Sequence, residues 1–301
     1  MPADQVTPPP LTLEQSARYC QQLTRRRAGN FYFAFLTLPK PDRRDMSILY
    51  AFMRHCDDIG DDPDKTIEAR RTELEQWRTV TNAALAQGDK LEFHSLLPAF
   101  VDLVERKAIP HEFLQAVITG VERDLHEGSV QTFEELEDYC YHVAGVVGRC
   151  CVHVWGLNPN SRFEDVYPLA DSCGLAFQLT NILRDLQEDS LLGRCYLPQG
   201  DLDDHQVTRT HLLEGLNDPL FQSLMKFEVA RAREYYAQAQ ALFDHISPTG
   251  KPVLGAMIKI YGGILDEIER RHYDVFTKRV SLSYPRKVSI ALGAMLRRSK
   301  S

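Results

Sequence analysis

The segment RHCDDIGDDPD, Arg54 to Asp64, places five aspartates within eight residues. On a helix, residues four apart lie on one face, about 40° apart around the axis and ~6 Å along it. Asp57 and Asp61 therefore aim their carboxylates the same way, as do Asp58 and Asp62, while Asp64 reads as a cap for the next helix. Carboxylates held this close repel unless a cation lies between them. An oxygen-only ligand set suits a hard cation, Mg2+ rather than Zn2+, and Mg2+ completes its shell with water and substrate phosphates. A calcium loop of the EF-hand kind is disfavoured, because its DxDxDG pattern and closing glutamate are absent. Taken alone, a solvated acidic helix end is the commoner reason for such spacing.

A second stretch, LADSCGLAFQLTNILRDLQED, ends on another DxxxD pair. It is apolar around most of its helical circumference, which marks a buried helix. Gln178, Asn181, Asp185 and Asp189 nevertheless fall at spacings of three, four and four, a single polar stripe. Two buried aspartates without partners are costly. Arg184 is spaced to pair with Glu188, which leaves the aspartates unneutralised. Two such pairs on separate helices, facing one cavity, would form a cage for several Mg2+ ions that clamps a polyphosphate. Arg54, Arg184 and Arg194 lie beside the motifs and have the fork geometry that suits diphosphate oxygens. The competing reading of the second stripe is a buried polar network that fixes helix register.

The elements that must position these side chains are helices. Apolar periodicity predicts helices over 13–26, 41–58, 64–87, 92–104, 111–127, 133–155, 163–189, 220–244, 251–277 and 284–298. Glycine, proline and aspartate cluster at the breaks, and no segment alternates in the manner of a strand. No repeat or compositional shift divides the chain. The expectation is one all-α domain over residues 13–300, preceded by a disordered proline-rich tail over 1–12.

With 44% hydrophobic and 26% charged residues, the 301-residue chain can bury a large core. Its seven cysteines show no CxxC pair or metal-finger spacing, so reduced thiols and a cytoplasmic location are expected. A net charge of −7 argues against a nucleic-acid partner. Residues 277–301 carry seven basic side chains and no acid, which leaves −14 on the rest. That basic end contains the apolar run VSIALGAML, so it could lie on an anionic inner membrane face or simply dock on the core.

The segments LYAFMRHCDDIGDD and FQLTNILRDLQEDSLLGRCYLPQGDL resemble the two signature motifs of the squalene/phytoene synthase family. YCYHVAGVVG resembles the family's central helix, and NFYFAFLTLP its first substrate-facing helix. The likeness implies a single isoprenoid-synthase helical bundle around a central prenyl-binding cavity, acting as a monomer on prenyl diphosphates. It implies Mg2+ ligands at Asp57, Asp61, Asn181, Asp185 and Asp189. Arg54, Arg184 and Arg194 would hold diphosphate, with Tyr50 and Tyr196 beside it. Tyr139 would handle a proton or stabilise a cation. Phe31, Phe35, Val143, Val147, Gly148, Gly174 and Gln178 would line the prenyl tunnel. The family's serine-containing segment before the first substrate helix is here RRRAGNF, where Arg27 would supply the positive charge.

The expected reaction is Mg2+-dependent coupling of two farnesyl diphosphates to presqualene diphosphate. NADPH would be needed only if reduction to squalene follows. NFYFAFLTLP and DDIGDD most resemble bacterial enzymes making presqualene diphosphate for hopanoids. The rival within the family is phytoene synthase, which uses two geranylgeranyl diphosphates. A terpene cyclase would carry a different second motif, and a helical scaffold would hold its acids on unrelated faces.

Overall fold

The computed structural model describes residues 11–87, 94–125 and 130–298. The helices, in order, are α1 (Leu13–Arg27), α2 (Gly29–Phe35), α3 (Lys40–Gly60), α4 (Ile67–Gln87), α5 (Leu97–Lys107), α6 (His111–Arg123) and α7 (Phe133–Cys140). A π-helical segment (Tyr141–Gly145) leads into α8 (Val146–Trp155) and the long α9 (Phe163–Leu191). Then come α10 (Gln199–Asp204), α11 (Arg209–Glu214), α12 (Pro219–Ala239), α13 (Leu242–His245), α14 (Lys251–Arg270) and α15 (Tyr284–Arg298). Among the described residues there is no strand, only an isolated bridge between Leu157 and Ile246. The expected all-α, single-domain architecture is what the chain adopts.

Local chemistry explains the boundaries. Thr12 caps α1 reciprocally with Gln15, so the N-terminal tail reading gives way at Leu11 and Thr12; residues 1–10 lie outside the described residues. Asp64 does not cap α4: Thr66 does, its Oγ1 accepting the Ala69 amide at 3.2 Å. The helix expected over 251–277 stops at Arg270, because His272 and Tyr273 adopt left-handed backbone. The helix expected over 220–244 breaks after Ala239. The start of the 92–104 segment and the end of the 111–127 segment fall outside the described residues.

The continuous helix expected over 133–155 is interrupted at its centre. A stripe at every fourth residue drifts by about 40° per step around an α-helix. The wider π turn offsets part of that drift, so Tyr139, Val143, Val147, Cys151 and Trp155 all reach one cavity. Around this segment helices touch through glycine. A Cβ on Gly174 would lie 2.5 Å from the Ala144 carbonyl oxygen, and one on Gly148 2.7 Å from that of Ala170. The two glycines thus bring α9 against the π segment and α8, and also line the cavity. All seven cysteines are buried and unpaired.

Candidate active site

α2, α3, α6, α8, α9 and α14 enclose a cavity of about 340 Å³. Each long helix contributes a stripe at helical spacing with a polar residue at one end. On α3 the stripe is Met46, Leu49, Tyr50, Met53 and Asp57; on α9 it is Ala170, Cys173, Gly174, Phe177, Gln178 and Asn181. α6 supplies Val117 and Val121, with Asp124 just beyond its last residue. Asp57, Asp124, Tyr139 and Asn181 therefore gather at one end, and Met46, Trp155, Ala170, Leu242 and Met257 at the other. The cavity has a polar mouth and an apolar depth. Phe31, Phe35, Val143, Val147, Gly148, Gly174 and Gln178, all expected in the tunnel, line it, and so does Tyr50, expected beside the diphosphate. The aromatic wall is continuous: Phe31 packs on Tyr50 at 6.3 Å and on Tyr261 at 5.5 Å, and Phe177 stacks on Tyr261 at 4.8 Å.

The mouth is crowded with acid. Asp57 opens onto the cavity yet is surrounded by protein, and burial pushes its carboxyl up to about 7. Arg54 pulls it down, while Asp61, Asp124 and Asp58 add to the rise. Asp189 is pushed to about 7 by burial and by Asp185, against Arg194. Asn181 donates its amide to Gln178 Oε1 at 3.3 Å. Tyr139 and Tyr196 stack at 5.0 Å, and their hydroxyls donate to the same oxygen of Asp124 at 2.8 and 2.9 Å. Tyr196 itself stands outside the cavity, behind Tyr139, in an adjoining cleft with Arg194.

The arginines are not where spacing alone puts them. Arg184 pairs with its neighbour Asp185, not with Glu188, and Arg279 reaches Asp185 through two bonds of 3.0 Å. Asp185 is thus neutralised twice, contrary to the expectation of a bare carboxylate. Arg54 and Arg27 both grip Asp58, the latter at 2.8 Å, so Arg27 does reach the acidic motif. Arg194 lies 3.5 Å from Asp61, which joins the two motifs across the mouth. Asp62 turns away to Lys65.

Among the described residues, no three or more His, Cys, Asp or Glu side chains are gathered tightly enough to hold one ion. The motifs supply donors around the mouth rather than a closed cage. The donor set nevertheless fits a hard divalent cation. It is oxygen-only, and burial and neighbouring carboxylates push Asp57 and Asp189 up, a cost that a bound cation removes. Sequence reading missed Asp124, Trp155, Tyr261 and Arg279. Asp124 has a signal in retrospect, since it ends a Val117–Val121–Asp124 stripe of the kind read on α9. Arg279 has none, because its contact with Asp185 spans 94 residues from outside any helix.

The family model for squalene/phytoene synthases matches residues 24–286. The chain belongs to the squalene/phytoene synthase family. A 15-cis-phytoene synthase of Synechocystis is 33% identical over 297 residues, covering 96% of this chain and 87% of that protein. A chloroplastic phytoene synthase of Daucus carota is 32% identical over 92% of this chain and 69% of its own. A dehydrosqualene synthase crystal structure superposes with a TM-score of 0.85 at 26% identity, over 96% of this chain and 98% of the other. A squalene synthase from Alicyclobacillus acidocaldarius gives 0.78 at 25% identity, over 88% and 97%. The squalene/phytoene synthase family joins prenyl diphosphates head to head, and this chain is a prenyltransferase of that type.

Proposed function

We propose that the enzyme condenses two farnesyl diphosphates to presqualene diphosphate, with release of diphosphate. The observation that carries this reading is the depth of the cavity. Asp57 to Met46 on α3 and Asn181 to Ala170 on α9 each span about 16 Å at the helical rise. A farnesyl tail is about 14 Å when extended by ordinary carbon–carbon geometry, and a geranylgeranyl tail about 19 Å. The second reading, phytoene synthesis from two geranylgeranyl diphosphates, is favoured by the curated relatives in Synechocystis and Daucus carota.

Arg54, Arg184 and Arg194, with Arg27 beside them, are assigned to the diphosphate oxygens as the C1–O bond of one substrate breaks. Asp57, Asp61, Asn181, Asp185 and Asp189 are the residues that would hold Mg2+, which would supply positive charge to the departing diphosphate. The allylic cation left behind is sheltered by Phe31, Phe35, Tyr50 and Phe177, which offer π faces and exclude nucleophilic water, with Tyr261 packed against Phe31 and Phe177. The 2,3-double bond of the second substrate attacks that cation, and loss of a proton closes the cyclopropane. Tyr139, oriented by Asp124, is the residue assigned to that proton. The activity is assigned to the monomer. No described helix is long and apolar enough to cross a membrane, and α15 is assigned to docking on an anionic lipid surface.

Incubation with Mg2+ and each prenyl diphosphate, with and without NADPH, tests the reaction. Presqualene diphosphate from the C15 substrate is expected. Phytoene or its diphosphate precursor from the C20 substrate alone would install the second reading, and no coupling from either would refute both.

A further inference from the structure

We propose that Trp155 is the stop that sets the prenyl chain length the enzyme accepts, an inference that rests on the head-to-head reading above. Trp155 is the last residue of α8, at the opposite end of the cavity stripe from Tyr139, and only 6% exposed. Met46, Ala170, Leu242 and Met257 line the same cavity. The two methionines are unbranched and re-pack readily around a longer tail. The indole is rigid, and its backbone is pinned. Gly156 leaves the helix with φ of 76°, the Ser247 hydroxyl donates to the Trp155 carbonyl at 2.6 Å, and the Ser247 amide donates to the Gly156 carbonyl at 2.9 Å. Gly250 stands against the root of the side chain, where even a methyl group would lie 2.8 Å from the Trp155 Cβ and 3.3 Å from its Cγ.

The indole Nε1–H is buried and has no hydrogen-bond partner in the protein. A phenylalanine or leucine would leave no orphan donor there. What the indole supplies at that position is volume, placed where an extended farnesyl tail would end. A tail one isoprene unit longer must displace it.

The test compares kcat/KM for farnesyl and geranylgeranyl diphosphate in the wild type, Trp155→Phe, Trp155→Ala and Met257→Ala, each first checked for cooperative melting. One methylene in an apolar pocket is worth about 10–200-fold in discrimination. Trp155→Ala is therefore expected to raise the C20-to-C15 ratio at least tenfold, chiefly through KM, with Trp155→Phe between it and the wild type. Met257→Ala is expected to leave the ratio within about threefold. A folded Trp155→Ala enzyme with an unchanged ratio overturns the proposal.

A second readout does not need turnover. The chain has two tryptophans, so Trp155 is the sole emitter in a Trp77→Phe background. Titration with non-ionisable thiodiphosphate analogues should leave its emission unchanged with a C10 tail and shift it with C15 and C20 tails. Binding of the C15 and C20 analogues without any shift removes Trp155 from the floor. If the wild type couples neither substrate, the reaction assignment fails, and the emission titration still decides whether Trp155 meets the tail.

Discussion

Asp124 accepts two phenol hydroxyls on one oxygen, and that arrangement fixes the ring of Tyr139 at the cavity mouth. An asparagine would keep the shape but replace two charge-assisted bonds with weaker neutral ones. Asp124→Asn is expected to lower turnover about 10–100-fold while the melting temperature moves only a few degrees. Unchanged turnover would take Asp124 out of the chemistry. Asp57→Ala and Asp185→Ala should each cost about 100-fold or more in kcat, with helicity retained by circular dichroism. Near-normal rates in both would refute the metal assignment. Asp57 and Asn181 were legible because their spacing on an otherwise apolar or amphipathic helix has no cheap structural explanation. The pairing of Asp185 with Arg279 was not, because which arginine meets which acid across 94 residues is decided by tertiary geometry; that of Arg54 with Asp58 follows i,i+4 spacing on α3 and could have been read.

At the scale of the element, the buried contact between α12 and α10 has its own pH signature. Glu228 is fully buried beside Arg231 and Asp201, and burial pushes its carboxyl up to about 8. Between its unfolded value near 4.5 and about 8, the folded chain keeps a proton that the unfolded chain has lost. Stability therefore falls as pH rises through that window, by up to about 1.4 kcal/mol per pH unit, and levels off above it. Glu228→Gln should melt like the wild type near pH 5 and increasingly above it toward pH 8; parallel melting curves across that range would show that Glu228 is ionised throughout. Long periodic helices were read well from sequence, while α10 and α11, six residues each, were not. Their amphipathic signal is too short to stand out, and docking under α9 and α12 holds them. The π segment was hidden for another reason: YCYHVAGVVG scans as unbroken helix, and the extra residue per turn answers to the close approach of α9 at Gly174.

The whole molecule sets an apolar chamber beside an amphipathic terminal helix, and the two meet at α2. α15 buries Ala291 and Ala294 and leaves Tyr284 at 70%, Leu292 at 54% and Leu296 at 67% exposure. Tyr284 meets the edge of Phe33 at 5.3 Å and Lys287 sits 5.9 Å over the same ring, while Phe31 and Phe35 on the other side of α2 line the cavity. A bilayer against α15 would thus lie one helix away from the chamber that must take up apolar tails. On an anionic surface the basic, acid-free end would contribute ~1 kcal/mol per Lys or Arg, and insertion of the exposed leucines would add to it. Sedimentation with vesicles should show binding to phosphatidylglycerol-rich membranes, weaker binding to neutral phosphatidylcholine, and loss of the difference as salt shortens the Debye length. The pair Leu292→Ser and Leu296→Ser, both on the solvent side, should weaken binding at least tenfold without lowering the melting temperature. Wild-type protein that stays in the supernatant with anionic vesicles at low salt would mean that α15 serves the core alone, and that prenyl tails reach the chamber from solution.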